Sequence, residues 1–428
     1  MSISEPLTAA PAGVPEGPIK EREGSAFAVL LTLAALGQFV AILTPVLVTL
    51  PLKIQQIVGV EQQAGAFGLV AAVGAVFAII CYPLAGRLSD RTTSRFGARR
   101  PWILIGAVGG VLSLYIIATA TDLVQVIIGW CLVEIFINSA EAALLATVAD
   151  QVPTSRRGAV SGLFGISMPI ALILGTMIVN GIQGDVLRFV IPGVVMVVTS
   201  VLFCIVLRDT RVDATRLRRF SWLEFGKSFV FNPKKNPDFG WVWISRFAVM
   251  FGYSGISTYL VYFLGDRFGL EGGALTGLLV ANSLAQGIAT IVASFLFGFV
   301  SDRLRRRRAF VFGGGVVLAL GLLLIAFAPA PEWVVVGAAV LGFGGGAYLS
   351  VDLALATEVL PNKADAGKDL GLLNTTNALP QSIAPAIAPS IIALGVAISF
   401  NGYQLLYLVA GAVALVGAIV IWNVRGTR

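Results

Sequence analysis

Long apolar segments dominate this chain and leave it few ways to fold. About twelve of them, each of roughly 20 residues, alternate with short polar stretches, and a helix of about 20 apolar residues crosses the ~30 Å hydrocarbon core of a bilayer. Hydrophobic residues make up 57% of the chain and charged residues 12%, against about 25% charged residues in soluble domains. Because backbone groups in lipid must be hydrogen-bonded internally, these segments are predicted to be helices of an all-α membrane protein.

The apolar segments fall into two groups of six. The predicted spans are residues 25–52, 63–88, 101–120, 123–149, 158–180 and 187–207, then 239–265, 273–300, 309–328, 332–360, 370–394 and 403–424. They define two predicted six-helix bundles, 25–207 and 239–424, with tails at 1–24 and 425–428. The linker 208–238 mixes basic and aromatic residues, which fits either an amphipathic helix on the membrane surface or a solvated connection.

The basic residues account for the net charge of +7 and lie almost entirely in alternate loops and in the tails. This is the positive-inside pattern, so we expect a multi-pass protein of the cell membrane with both termini in the cytoplasm. The pattern does not indicate nucleic-acid binding. The 3 cysteines all lie in apolar segments, which predicts neither a disulfide framework nor a metal site.

One charged loop occurs twice. Asp90-Arg91 begins an arginine-rich loop between the second and third spans, and Asp302-Arg303 precedes a run of arginines between the eighth and ninth. The ends of the fourth and tenth spans also correspond, and each is followed by a short basic loop. Two halves related as parallel repeats are typical of one large class of secondary transporters.

The two Asp-Arg loops resemble the signature of the major facilitator superfamily, and the twelve spans and the long central loop agree with it. A narrower resemblance is to the sucrose/proton symporters, which are close to the glycoside–cation symporters. The similar segments are Ser89 to Pro101, Gly129 to Asp150, Leu372-Leu373-Asn374 and Leu379-Pro380-Gln381. The resemblance implies the major facilitator fold and proton-coupled transport of a sugar-like solute.

This narrower resemblance places Glu134 at the branch's acidic position in the fourth span. Two positions differ from the branch. Ala98 stands where the family usually has arginine, and Leu145 stands where the plant members carry an arginine inside the membrane. The resemblance therefore implies a sugar-like substrate more strongly than sucrose itself.

Carboxylates inside the spans are candidate proton carriers. An ionisable residue in a span costs about 2.5–3.5 kcal/mol on insertion scales, so each is a functional hypothesis by default. Glu134 and Glu141 share one face of the fourth span, about 10.5 Å apart, with Asn138 between them. Because the chain contains no histidine, proton coupling is predicted to use Glu134, Glu141 and Asp352. The alternative is that these carboxyl groups only hold helices together.

A polyhydroxylated substrate needs hydrogen-bonding groups and aromatic faces inside the bundle. The predicted substrate-binding residues are Gln38, Asn138, Arg246, Tyr253, Asn282, Gln286, Tyr348, Asn374, Asn377 and Gln381. For any single amide, a helix–helix hydrogen bond is an equally good explanation. Arg246 has three open interpretations: substrate binding, an ion pair with a glutamate or Asp352, or a side chain that reaches the membrane surface.

The arginine loops are predicted to stabilise one conformational state. The predicted gating residues are Asp90, Arg91, Arg95, Arg99, Arg100, Asp302 and Arg303. The alternative is that these charges only anchor the topology.

Together these features predict a secondary active transporter with proton-coupled symport of a sugar or glycoside. The expected partners are a small-molecule substrate, the proton and the lipid bilayer, with no cofactor, no catalytic residue and a monomeric state. The first alternative is a proton-coupled exporter of drug-like or amphipathic molecules, and the second is a non-transporting sensor or assembly factor on the same fold. The chain has no phosphate-binding glycine loop with lysine, so ATP-driven transport by this chain alone is not expected.

Overall fold

The computed structural model describes residues 25–152, 157–209, 236–257, 259–304, 306–359 and 366–424. The helices are α1 (Ser25–Thr44), α2 (Leu50–Val58), α3 (Gln63–Ser89), α4 (Arg100–Thr119), α5 (Leu123–Gln151), α6 (Arg157–Asn180), α7 (Asp185–Val206), α8 (Pro237–Ser257), α9 (Leu260–Phe268), α10 (Gly272–Leu304), α11 (Arg307–Ala326), α12 (Pro331–Glu358), α13 (Ala366–Ala397) and α14 (Gly402–Val420). The predicted tails and most of the predicted linker lie outside the described residues.

The all-helical membrane fold predicted from the sequence is confirmed. Ten of the described helical segments are long and apolar enough to cross a bilayer. The other two predicted spans are also helical: α6 has a shorter apolar stretch, Ile166–Asn180, and α8 continues into α9 after a break. Large apolar side chains on the outside of the bundle, such as Ile205 at 71% and Phe299 at 70% exposure, fit a surface solvated by lipid.

The first helix of each half is interrupted, at a proline in the first half and without one in the second. Pro45–Thr49 forms a π-helical turn between α1 and α2, and the N–H of Leu50 donates to the carbonyl of Pro45. Prolines at 45 and 51 lack an N–H, so the helix changes its hydrogen-bonding pattern locally. In the second half, α8 ends at Ser257 and the nine-residue helix α9 begins at Leu260. Both interruptions lie next to the central pocket described below.

Glycines allow the helices of the second half to pack closely. A methyl group at Gly342 in α12 would lie 2.2 Å from the backbone oxygen of Gln286 in α10, and one at Gly346 would lie 2.3 Å from that of Thr290. The hydroxyl of Thr290 donates to the backbone of Gly342 at 3.1 Å. Small residues at such positions bring helix backbones together in membrane proteins.

The two halves meet along two pairs of helices, α3 with α13 and α6 with α10. Gly68 of α3 lies against Pro385 and Pro389 of α13, while Gly287 of α10 lies against Ile173 of α6. We call the end of the bundle with the Asp90 loop the arginine end, and the other end the opposite end. The candidate sites lie between or beside these contacts.

Candidate functional site

A small pocket lies between the two halves near the interruptions in their first helices. The lining residues are Leu47, Val48, Leu172, Thr176, Leu260, Leu279, Asn282, Ser283 and Gln286. None of these described lining residues carries a charge. Helices from both halves therefore enclose a neutral site with apolar and polar parts.

The polar side of this pocket comes from α10. The side-chain nitrogen of Gln286 donates to the hydroxyl oxygen of Tyr253 in α8, at 3.2 Å. Asn282 is 5% exposed, and within the described part of the chain its side-chain oxygen has no hydrogen-bond partner. The structure thus brings together three of the predicted substrate-binding residues, Tyr253, Asn282 and Gln286.

A second polar group lies on α5 in the first half. The side-chain nitrogen of Asn138 donates to the Glu134 carboxylate at 2.6 Å and to the Glu134 backbone oxygen at 2.7 Å. Glu134 is partly exposed. Gly74 of α3 allows this arrangement, because a methyl group there would lie 2.3 Å from the Trp130 ring and 3.4 Å from the Glu134 side chain. The amide of Asn138 is therefore engaged by Glu134.

Glu141 lies two turns further along α5 and is also partly exposed. The two glutamates are seven residues apart, which is about two helical turns, so they lie on the same side of α5.

The third membrane carboxylate is buried in an ion pair. Arg246 of α8 and Asp352 of α12 approach to 2.8 Å, and their side chains are only 9% and 2% exposed. Tyr348, one turn before Asp352, is 0% exposed. The structure selects Asp352 as the partner of Arg246, which the sequence left open. Neither residue lines the central pocket.

At the opposite end, two tyrosines hydrogen-bond across the halves. Tyr262 of α9 donates to the backbone oxygen of Pro51 in α2 at 3.0 Å. Tyr259 donates to the oxygens of Ala64 at 3.2 Å and Pro385 at 2.9 Å. Both rings pack edge-on against Phe67. Sequence analysis did not identify these residues, and the only signal available was the Tyr-x-x-Tyr spacing at the end of an apolar span.

At the arginine end, one guanidinium joins three helices. Arg99 pairs with Asp90 at the end of α3 and, at 2.9 Å, with Asp150 near the end of α5, and it donates to Ser89 at 2.6 Å. Burial alone lowers the pKa of the Arg99 guanidinium, but its bond and charge interaction with Asp150, together with Asp90, raise that pKa above its ordinary value. Arg99 therefore remains charged.

Asp209 is a further member of this cluster that the sequence did not reveal. Its carboxylate accepts hydrogen bonds from the backbone N–H groups of Arg99 at 2.6 Å and Arg100 at 2.8 Å. It caps the N-terminus of α4, where a negative charge is favourable. Arg100 in turn donates to the backbone oxygen of Leu207. In the sequence, Asp209 is only one carboxylate near the start of a polar linker.

The remaining predicted gating residues are less buried than Arg99. Arg91 is partly exposed, Arg95 has its guanidinium 4.8 Å from the centre of the Phe96 ring, and Arg303 is exposed. The side chain of Asp302 lies outside the described residues. Among the described members of this set, Arg99 is the buried one, at 7% exposure.

Besides Asn138, two further predicted amides with described side chains do not line the pocket. Gln38 is 1% exposed, and both polar atoms of its side chain lack a partner within the described residues. Gln381 is exposed. The side chains of Asn374 and Asn377 lie outside the described residues. The described part of the chain contains no cluster of His, Cys, Asp or Glu that could hold a metal ion.

Two sets of membrane helices around a central pocket form the architecture of a membrane transporter. The chain belongs to the Major Facilitator Superfamily, which its sequence matches over residues 27–289 and 278–427. It is therefore a multi-pass membrane transporter of this superfamily, and its substrate is a small molecule.

Individual relatives cover much of the chain. A cis,cis-muconate transport protein of Acinetobacter baylyi is 24% identical over 324 residues, covering 72% of this chain and 75% of the relative. A class G tetracycline resistance protein of Vibrio anguillarum is 26% identical over 404 residues, covering 90% of this chain and 95% of the relative. Among solved structures, the nucleoside transporter NupG superposes with a TM-score of 0.72 at 14% identity, covering 93% of this chain and 99% of that one.

A sucrose transport protein of Arabidopsis thaliana is also similar, at 28% identity. That match extends over 120 residues, which is 24% of each chain. The muconate and tetracycline proteins match over longer stretches. The comparisons therefore establish the superfamily, while the sucrose/proton symporter branch is not singled out.

Proposed function

We propose that this protein couples the movement of a sugar or glycoside to that of protons by alternating access. We infer the substrate class from the lining of the central pocket, which is uncharged and partly polar. Its polar residues are Thr176, Asn282, Ser283 and Gln286. Amides and hydroxyls bind an uncharged hydroxylated solute without an ionic partner. A carboxylate substrate would instead favour an arginine in the lining.

Proton coupling is assigned to the first half of the molecule. Glu134 is partly exposed and held by one amide donor from Asn138, so its carboxylate can exchange protons with water in an open state. Glu141 offers a second carboxylate nearer the arginine end. Asp352 is less suited to this role in the present conformation because Arg246 occupies it. The proton-binding ability of a carboxyl group changes with its solvation, which links proton transfer to the opening of the bundle.

The membrane potential supplies enough free energy for a proton symporter to accumulate its substrate. One charge moving through 100 mV releases about 2.3 kcal/mol, and this corresponds to roughly a 50-fold solute gradient. A symporter that moves one proton with each solute can therefore concentrate its substrate.

The orientation follows from charge. We assign the arginine end and both termini to the cytoplasm of the cell, so the tyrosine-closed opposite end faces outward. The hydrogen bonds of Tyr259 to Ala64 and of Tyr262 to Pro51, which join the halves at the opposite end, support an inward-facing state. We assign the cluster around Arg99 to the stabilisation of the first bundle, residues 25–207, while it rocks against the second, residues 239–424.

The test measures substrate-induced proton movement in proteoliposomes that contain no substrate and have no pH gradient across the membrane. Addition of a transported glycoside should make the external medium more alkaline, and Glu134→Gln should abolish this signal while Glu61→Gln, at an exposed position, keeps it. If no member of a panel of disaccharides and glycosides moves protons in the wild type, the sugar assignment is wrong. A signal that persists in Glu134→Gln would move the coupling role to Glu141 or Asp352.

A second candidate is proton-coupled export of amphipathic molecules. It is favoured by the apolar part of the pocket, formed by Leu47, Val48, Leu172, Leu260 and Leu279. The two candidates predict opposite proton movements relative to the substrate. An exporter acidifies the compartment from which the amphipath is removed, and the same proteoliposomes distinguish the two by the sign of the pH change.

A further inference from the structure

The first residues after α7 are bound to the arginine end. The backbone oxygen of Leu207 accepts a hydrogen bond from the Arg100 guanidinium, and that of Arg208 accepts one from the Gln151 side chain at 2.8 Å. Together with the next residue they form a segment that we call the strap, residues 207–209. The connection between the two halves therefore begins attached to α4 and α5.

The last residue of the strap, Asp209, supplies a cap that α4 lacks in its own sequence. The N-cap residue of α4 is Arg99, whose side chain makes no capping hydrogen bond. The Asp209 carboxylate instead accepts the N–H groups of Arg99 and Arg100, at 2.6 and 2.8 Å. A carboxylate bound to the unpaired N–H groups of a helix N-terminus stabilises that first turn. Asp209 therefore holds the backbone of Arg99 in place.

The loop before α4 contains a glycine that makes room for this carboxylate. Gly97 has a φ of 104°, a conformation that residues with a side chain rarely adopt. A methyl group on Gly97 would also lie 2.2 Å from the carboxyl carbon of Asp209. An alanine at this position would therefore be strained and would displace Asp209.

Arg99 is held by both its backbone and its side chain. Its N–H binds Asp209, while its guanidinium pairs with Asp90 at the end of α3 and with Asp150 of α5. A shift of the first turn of α4 moves the Cα atom of Arg99, and its guanidinium then leaves these carboxylates. Because the Arg99 side chain is only 9% exposed and its surroundings are packed, another rotamer has little room to restore the ion pairs.

The second half differs at the equivalent positions. The two bundles end in matching sequences, Leu207-Arg208-Asp209-Thr210-Arg211 and Val424-Arg425-Gly426-Thr427-Arg428. Glycine thus stands in the second half where the first has the capping aspartate. The second arginine loop also has no glycine between Asp302 and Gly313, and the side chain of Arg306, the N-cap residue of α11, makes no capping bond. The capping carboxylate and the glycine beside it occur together in the first half only.

We infer that Asp209 is a positioning residue for the change of access. It holds Arg99 where the guanidinium bridges α3 and α5, and through Arg99 it sets the equilibrium between the two access states. The inference rests on the conformational role predicted for the arginine loops, and it is independent of the substrate and of the coupled ion. Asp209 acts through the Arg99 backbone, so its removal leaves both ion-pair partners of Arg99 in the protein.

The test measures the access state by double electron–electron resonance on the full-length protein in lipid nanodiscs, without substrate. Spin labels at Gln56 of α2 and Asp266 of α9, both exposed, report the separation of the halves at the opposite end. The native cysteines Cys81, Cys131 and Cys204 are first replaced by alanine.

Asp209→Ala removes the cap and should change the ratio of the two access states by about fivefold or more, in the same direction as Arg99→Ala. The double variant should shift this ratio no further than the larger single variant, because both changes break one arrangement. Asp209→Asn keeps an oxygen that accepts N–H bonds, and asparagine is as good an N-cap residue as aspartate. It should therefore restore most of the wild-type ratio.

Further variants separate this contact from helix capping and loop strain in general. Asp185→Ala removes an aspartate from the first turn of α7 in the same half and should keep the wild-type ratio. Gly97→Ala displaces Asp209 without changing it, and should shift the ratio as Asp209→Ala does. Gly184→Ala is its control, because this glycine also has a positive φ but nothing lies within 4 Å of an added methyl group.

The outcomes distinguish this inference from the role of the arginine loops. A wild-type ratio in Asp209→Ala, with a shifted ratio in Arg99→Ala, would overturn the inference and leave that role standing. Additive shifts in the double variant would also overturn it, since Asp209 would then act separately from Arg99. An unchanged ratio in Arg99→Ala would refute both, because the cluster would then have no influence on the access state.

Discussion

The buried ion pair between Arg246 and Asp352 allows a quantitative test of what holds α8 to α12. Its atoms are 2.8 Å apart and the side chains are 9% and 2% exposed, so neither charge is well solvated in the folded protein. Removing one partner of such a pair leaves an uncompensated charge and costs about 3–5 kcal/mol, whereas replacing both with apolar residues is often neutral or better. We therefore expect Asp352→Leu and Arg246→Met to be strongly destabilised singly and largely rescued together.

The assay is thermal unfolding of the four proteins of this double-mutant cycle in nanodiscs, with transport measured on the same preparations. If both singles unfold at lower temperature and the double variant recovers, the pair is a structural contact. Transport by the rescued double variant would show that neither Arg246 nor Asp352 is needed for substrate binding or proton coupling. A stable but inactive double variant would support the substrate and proton roles predicted from the sequence. If the double variant were destabilised by the sum of the two single effects, the ion pair would not couple the two residues, and the predicted rescue would be wrong.

Two further predictions follow from close contacts. Gly342→Ala places a methyl group 2.2 Å from the Gln286 oxygen, which forces the backbones of α10 and α12 apart and should lower stability by about 1–3 kcal/mol; Gly313→Ala, with nothing within 4 Å, is the control and should unfold like the wild type. Tyr262→Phe deletes the 3.0 Å bond to Pro51, worth about 1 kcal/mol, and should shift the population about fivefold towards opening at the opposite end. Spin-label distances between α2 and α9 check this, and an unchanged distance distribution would show that the hydroxyl does not hold this end closed.

The parts of the protein that were predicted correctly depend on local sequence. The spans were recognised because crossing a bilayer requires about 20 consecutive apolar residues, whatever the neighbouring helices do. The duplicated Asp-Arg loops were recognised because charged residues stand out between apolar segments. Pro45 inside the first span indicates a kink there, and the structure has its π-helical turn at Pro45–Thr49. The interruption before Leu260 was missed, since hydropathy changes little across it.

The candidate site was only partly predictable. The spacing of Glu134 and Asn138 in one helix places them together, and the structure joins them by a 2.6 Å bond. Gln38 and Asn282 look alike in sequence, as amides within apolar spans, yet only Asn282 lines the pocket. A helix that is apolar on nearly every side carries no pattern to show which face points inward.

By itself, the sequence was enough to specify a membrane protein of two similar six-helix halves and a small set of polar groups within it, because these depend on length, hydropathy and charge. The tertiary structure decided which of those groups meet. Asp352 became the partner of Arg246, Asn282 became part of the pocket lining, and Tyr262 became a bridge to Pro51. Each outcome depends on the rotation and packing of helices far apart in the chain, where a rotation of one helix by half a turn would exchange the pocket-facing and lipid-facing residues.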